Sequence, residues 1–299
     1  MTLKDKVLVL GHVLARAFLV PIISMIKLRG MRSYQTFTLT GIRTALNTDS
    51  ESALTIYKQS ITQFVSLAAE FYFFCRYSQA HLQRHLDAIE LSGIENITCA
   101  LASSRPILLV TIYMGNFPLG FLKLISSVDI ERQVYIFKVN PKSANEERLF
   151  SLYHRASQYV HPLRLGEHGG KKAFFELRKG NIVAMMIDAE VRVTSREKVA
   201  FLNQSCNMQS GPATLAYLSK ATILPVVNYT NGHGQQVVRI EKPIASQKLL
   251  TDSSHKEAIA RITQELASTM ENWIHMAPEQ VQRWPSIAQI MAQNAPTDL

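Results

Sequence analysis

Five acid–base side chains fall where the edge of a β-sheet is predicted: His154, Glu167, His168, Asp188 and Glu190. Each has the proton chemistry that a group-transfer reaction needs. Asp188 stands out because it follows Ile182 to Ile187, an apolar run that reads as a buried strand, and open sheets bind their ligands at the carboxyl ends of their strands. A plainer reading, an aspartate capping the next loop, stands beside it. His168 lies in Gly166-Glu167-His168-Gly169-Gly170, where a solvated surface imidazole is the commoner outcome. Cys75, Cys99 and Cys206 lie far apart in apolar surroundings, without Cys-x-x-Cys spacing, which indicates neither a disulfide framework nor a metal site and fits a reducing compartment. There is no Walker-type or Rossmann glycine run, so no metal and no diffusible cofactor is expected.

These residues need a scaffold. Helical spacing of Ala53, Ile56, Tyr57, Ser60, Ile61, Phe64 and Val65 predicts one or two helices between Ser50 and Leu91. Beyond them, short apolar runs alternate with helical stretches, the signature of a sheet covered by helices. Strands are predicted at Pro106 to Ile112, Gln133 to Lys138, Ile182 to Ile187, Ile223 to Tyr229 and Gln236 to Ile240. Asn231-Gly232 joins the last two as a hairpin. Helices are predicted at Asn116 to Ser126, Ala144 to Ser157, Lys171 to Lys179, Gly211 to Ser219 and His255 to His275. No repeat or linker divides the chain.

With 299 residues, 47% of them apolar, the chain can bury one substantial core. Lys and Arg number 32 against 23 Asp and Glu, a formal charge of +9 that favours anionic partners such as lipid headgroups or acidic carrier proteins. Scattered basic residues and the lack of any nucleic-acid-binding motif argue against nucleic acid. Val7 to Lys27 is almost wholly apolar but interrupted by His12, Arg16 and Pro21. This predicts a helix lying in or dipping into a membrane leaflet, flanked by Lys4, Lys6, Lys27, Arg29 and Arg32, rather than a clean span. A core helix is the competing reading. The expected organisation is therefore a membrane-associated segment, residues 1–30, followed by an α/β domain, residues 31–299.

The turn Thr111-Ile112-Tyr113-Met114-Gly115-Asn116-Phe117-Pro118 resembles the first motif of the bacterial late lipid A acyltransferases, a family of the lysophospholipid acyltransferase superfamily, where the usual text is His-x-Gly-Asn-Trp-Glu. Further segments resemble the same family in the same order: Val134-Tyr135, Val139-Asn140-Pro141, Arg155, the Gly180 to Asp188 strand, Val199-Ala200-Phe201, Gly211-Pro212-Ala213-Thr214-Leu215-Ala216, Leu224-Pro225-Val226, and Pro278-Glu279-Gln280 followed by Trp284. The likeness runs from about Arg32 to Trp284. It implies a glycerol-3-phosphate acyltransferase-like fold, with a mixed central sheet flanked by helices. It also implies a carrier-protein thioester donor bearing phosphopantetheine, a glycolipid acceptor, and a place on the cytoplasmic side of the inner membrane.

The family's histidine deprotonates the acceptor hydroxyl and its acidic residue orients the imidazole. Here those positions hold Tyr113 and Pro118. A phenol is almost wholly protonated at neutral pH, so Tyr113 is expected to donate a hydrogen bond to the thioester oxygen rather than act as base. Tyr113, Asn116 and Asp188 are expected to serve catalysis, Asp188 for its place at a strand end, and Gly115, Lys138, Arg155, Phe201 and Gly211 to serve substrate binding. Arg155 would meet a phosphate, and Lys138, Arg155, Lys171 and Lys172 would form a basic patch for an acidic carrier. A glycyl thioester brings its own amine and tolerates the missing base better than a fatty acyl donor does. The favoured expectation is accordingly aminoacyl transfer, as in the lipid A glycyltransferase branch, with fatty acyl transfer and a non-catalytic binding protein as alternatives.

Overall fold

A computed structural model describes residues 2–30, 32–138, 144–164, 168–189, 195–244 and 254–292, without the side chains of 32–34, 138 and 144–146. Its strands are β1 (Glu90–Ser92), β2 (Ile107–Thr111), β3 (Val134–Lys138), β4 (Val160–Arg164), β5 (Ile182–Met186), β6 (Arg196–Phe201), β7 (Gln204–Gln209), β8 (Thr222–Thr230) and β9 (Gln236–Ile240). Seven of them form a mixed sheet in the order β1-β9-β8-β2-β5-β3-β4, parallel throughout except for the β8/β9 hairpin. The strand at its centre, β2, is the Ile-Leu-Leu-Val run, buried on both faces as a parallel strand between helical layers must be.

Helices Phe117–Ser127 and Ala144–Ala156 cover one face, where Leu119, Leu122, Leu124, Leu152 and Tyr153 enter a common core with Leu109 and Ala184. Helices Gly169–Arg178, Gly211–Ser219 and His255–Met276 cover the other, packing Ala173, Leu177, Ala213, Ile262 and Leu266 against Leu108, Val110 and Val183. The five predicted strands and the helices between them are present with boundaries shifted by a residue or two. The predicted hairpin is also there, closed by Asn231, whose Oδ1 accepts from the backbone N–H of His233 and Gln235.

Four strands are additions. β4 contains Pro162, tolerated because β4 is a sheet edge, and its polar residues hide the strand pattern. β6 and β7 form a separate hairpin whose turn, Leu202-Asn203, has φ of 50° and 63°. That is the geometry of an Asn-Gly turn built from residues that do not advertise it. β1 has only three residues.

Near the N-terminus, Leu3–Gly30 is one helical run of 28 residues with a mean hydropathy of 2.0 in its most apolar stretch. It opens with a capping box between Thr2 and Asp5, and Asp5 also accepts from the Ser78 N–H and hydroxyl at 3.0 and 2.7 Å. Ala15–Leu19 widens into a π-helical turn. Pro21 lacks an N–H, and its ring would crowd the preceding carbonyls in a regular helix, which gives the widening a local cause. Leu3, Val7, Leu10, Phe18, Ile22 and Ile26 all stay exposed, so this is not a core helix. Its apolar composition and outward face suit membrane association.

Candidate active site

The turn after β2 carries the site, and its shape is held from three sides. Gly115 has φ +53°, and a Cβ there would stand 2.6 Å from the Asn228 carbonyl oxygen, so only glycine fits. From below, the buried Asp188 accepts the Tyr113 N–H at 3.0 Å. From the C-terminal end of the chain, the 3₁₀ turn Pro278–Gln280 and the residues after it clamp the turn: Gly115 N–H donates to Gln280 O, Gln282 N–H to Tyr113 O, and the Gln282 amide to Gly115 O. Gln280 is itself fixed by paired hydrogen bonds with the Thr230 backbone, and Trp284 by its indole N–H on Pro278 O. The distant Pro278-Glu279-Gln280 and Trp284 text thus serves to hold Tyr113 to Gly115 in place.

Asn116 caps the next helix. Its Oδ1 accepts the Leu119 N–H, which leaves its Nδ2 to donate to Glu70 Oε2 at 2.7 Å. Glu70, on the helix Ser50–Phe74, also faces the Arg16 guanidinium at 3.8 Å, and its side chain is 19% exposed. Burial holds the Glu70 carboxyl above the ordinary range, opposed by Arg16 and Asn116. The Tyr113 ring packs edge-on against Phe117 at 5.1 Å and beneath the Arg283 guanidinium at 4.0 Å.

Three spaces meet here. An apolar cavity of about 150 Å³ lies between the sheet and the helices Phe117–Ser127 and Ala144–Ala156, lined by Tyr113, Phe121, Leu124, Phe150, Ala184 and Val226 among others. A shallower apolar groove runs from Tyr113, Phe117 and Arg283 along Phe64, Leu67 and Phe71. On the other side of Leu67, a polar cavity of about 560 Å³ is lined by His12, Arg16, Glu70, His85, Asn116 and Gln236.

Asp188 lines none of these spaces. It is fully enclosed, and its Oδ1 has no hydrogen-bond partner among the described residues. Burial raises its pKa from 3.8 to about 7, against the lowering effects of the Tyr113 N–H and Arg283. The arrangement fits a residue that positions Tyr113 better than one that meets substrate. A raised carboxyl pKa stabilises the fold fully below about pH 4, and that stabilisation is lost as pH climbs through 7. At about 1.4 kcal/mol per unit it amounts to at most ~4 kcal/mol. Asp188→Asn cannot titrate, so the melting temperature of the wild type should fall relative to that of the variant between pH 4 and 7. Parallel melting curves across that range would contradict this assignment of charge.

The structure brings Tyr113, Gly115, Asn116 and Asp188 together and separates the rest. Phe201 is sealed in a core cluster with Trp273 and Trp284. Gly211 starts its helix on the opposite face of the sheet. His154 is exposed on the helix Ala144–Ala156. His168 follows β4, which lies three strand spacings, or roughly 14 Å, from β2. Glu167, Glu190, the Asn140-Pro141 turn and the side chains of Lys138 and Arg32 lie outside the described residues. The expected basic patch is divided, because Lys171 and Lys172 are on a helix of the opposite face. Arg155 instead gathers with Arg76 and Arg148 around Cys75.

Glu70 and Arg283 were missed by sequence reasoning. Glu70 had a visible signal, a lone charge in the apolar run Leu67-Ala68-Ala69-Glu70-Phe71. Arg283 had none, since only the folded chain lays it over Tyr113.

The site is thus a glycine-asparagine turn after the central strand of a seven-stranded mixed sheet, with an apolar cavity beside it. The model of the bacterial lipid A biosynthesis acyltransferase family matches residues 24–284, and the chain belongs to that family. Membership supports acyl transfer to lipid A, with a glycolipid as acceptor. No curated protein matches the chain.

Proposed function

We propose that the protein transfers a fatty acyl group from a carrier-protein thioester to a hydroxyl of lipid A, at the cytoplasmic face of the inner membrane. The observation that carries this reading is the apolar cavity behind Tyr113. A single water needs only roughly 10–15 Å³ of such space, so about 150 Å³ takes a stretch of hydrocarbon and far exceeds a glycyl group. Tyr113, which lines this cavity, would donate a hydrogen bond to the thioester oxygen as negative charge builds on it. Arg76, Arg148 and Arg155 supply positive charge for a phosphopantetheine phosphate or an acidic carrier. Residues 1–30 would rest on the membrane while 31–299 carry the chemistry, without a metal or diffusible cofactor. Glycyl transfer remains the second reading, supported by the absence of the histidine–acid pair at Tyr113 and Pro118.

Mass spectrometry of lipid A from cells with and without the gene separates the two, since a hydrocarbon-sized increment and a glycyl-sized one differ plainly. Ala184 points into the cavity from β5. Ala184→Phe should therefore shift the preference toward shorter acyl donors, with a loss of about 5- to 150-fold on the longest chain, in line with the ~1–3 kcal/mol expected of a steric mismatch in a well-packed interior. An unchanged chain-length profile would count against the cavity as the acyl site.

A further inference from the structure

If the family's histidine is gone, some other group must take the proton from the acceptor hydroxyl. We infer that Glu70 is that general base and that the polar cavity it lines receives the hydroxyl-bearing sugar of the acceptor. This assignment rests on the acyl-transfer reading above.

Among the described carboxylates, Glu70 alone touches both the catalytic turn and a cavity open to solvent. Its Oε2 accepts from Asn116 Nδ2 at 2.7 Å, and the amide cannot turn away, because its Oδ1 is committed to the Leu119 N–H at the helix start. Gly115 and Asn116 form one wall of the cavity, and Gln63, Thr230, Gln235 and Gln236 line it further. Such a set of neutral donors and acceptors suits sugar hydroxyls. On the far side of Leu67 begins the apolar groove that leads to Tyr113, so donor and acceptor would approach the turn from opposite sides. Asp188, the fully buried carboxylate at the turn, is sealed from both spaces. Burial also keeps Glu70 more basic than an exposed glutamate.

As the acceptor oxygen attacks the thioester carbonyl carbon, its proton passes to the Glu70 carboxylate. A C–O bond forms, and the tetrahedral oxyanion lies against the Tyr113 hydroxyl. The C–S bond then breaks, and the proton held by Glu70 goes to the departing sulfur. The products are an ester and the free carrier thiol, and the carboxylate is restored.

The test uses the full-length protein on anionic vesicles, a dodecanoyl carrier-protein thioester and a diglucosamine lipid with free hydroxyls. Glu70→Gln keeps an oxygen for Asn116 and should melt like the wild type. Its kcat should fall about 10²- to 10⁴-fold, the usual share of a general base, with KM for both substrates unchanged. The wild-type rate should fall at acid pH through a limb lying above the ordinary carboxylate range, and that limb should vanish from the residual rate of the variant. A purely structural Glu70 would lower the rate and leave the limb in place, which overturns the assignment, as does a Glu70→Gln rate within about threefold of wild type. Should Glu70→Gln fail to fold, Glu70→Asp decides: a loss of tenfold or more with the acid limb retained supports the base, and full activity excludes it. A wild type that transfers no acyl group overturns the acyl-transfer reading itself and this assignment with it.

Discussion

Phe18→Glu combined with Ile22→Glu will release the protein from anionic vesicles without unfolding it. Both side chains are exposed, at 63% and 50%, on the outer face of the helical run Leu3–Gly30, so no core contact is lost. Each large apolar side chain that enters lipid contributes roughly 1.5–3 kcal/mol, so removing two weakens binding by about 10²- to 10⁴-fold. The two new carboxylates add repulsion from lipid phosphates, which high salt would partly screen. Sedimentation with vesicles measures binding, and a melting curve checks the fold. Point substitutions are preferable to deletion of residues 1–30. Deletion would also remove the Asp5 acceptor for Ser78 and the His12 and Arg16 wall of the polar cavity. Undiminished sedimentation of the double variant would mean that the membrane contact lies elsewhere.

Tyr113→Phe will lower kcat by about 10- to 10³-fold, the range for losing one hydrogen-bond donor to a developing oxyanion. The variant retains the ring packing on Phe117 and Arg283 and the backbone bond to Asp188, and a melting curve checks that the fold is kept. Carrier affinity and KM should therefore stay within about twofold, the mark of an interaction made only in the transition state. Steady-state kinetics with purified carrier thioester reads both quantities. A variant with full kcat would move the oxyanion donor away from Tyr113, and a rise in KM alone would make Tyr113 a binding residue.

The sheet-and-helix order was legible in the sequence because each signal is local. The β2 run is apolar on both faces, Asn231-Gly232 can form only a few turns, and Asn116 before Phe117-Pro118 carries the chemistry of a helix cap. The family motif placed Tyr113, Gly115, Asn116 and Asp188 at one sheet edge for the same reason: each follows the end of a strand that can be read directly. Strands whose identity comes from their neighbours escaped. β4 is polar and contains proline, yet pairs because β3 offers it an edge, and β6 and β7 turn through Leu202-Asn203. The surroundings of the site are a tertiary product throughout. Glu70 is 46 residues from Asn116 in sequence, and Gln282 is 167 residues from Gly115. Asp188 was visible as a carboxylate at a strand end, but whether it faces substrate or is sealed under the turn depends on what packs above it. Nothing in its own segment encodes that. Electrostatic character follows burial and partners, and these exist only once Glu70, Arg16 and Arg283 have been brought to the turn by helices and a C-terminal segment distant from it in the chain.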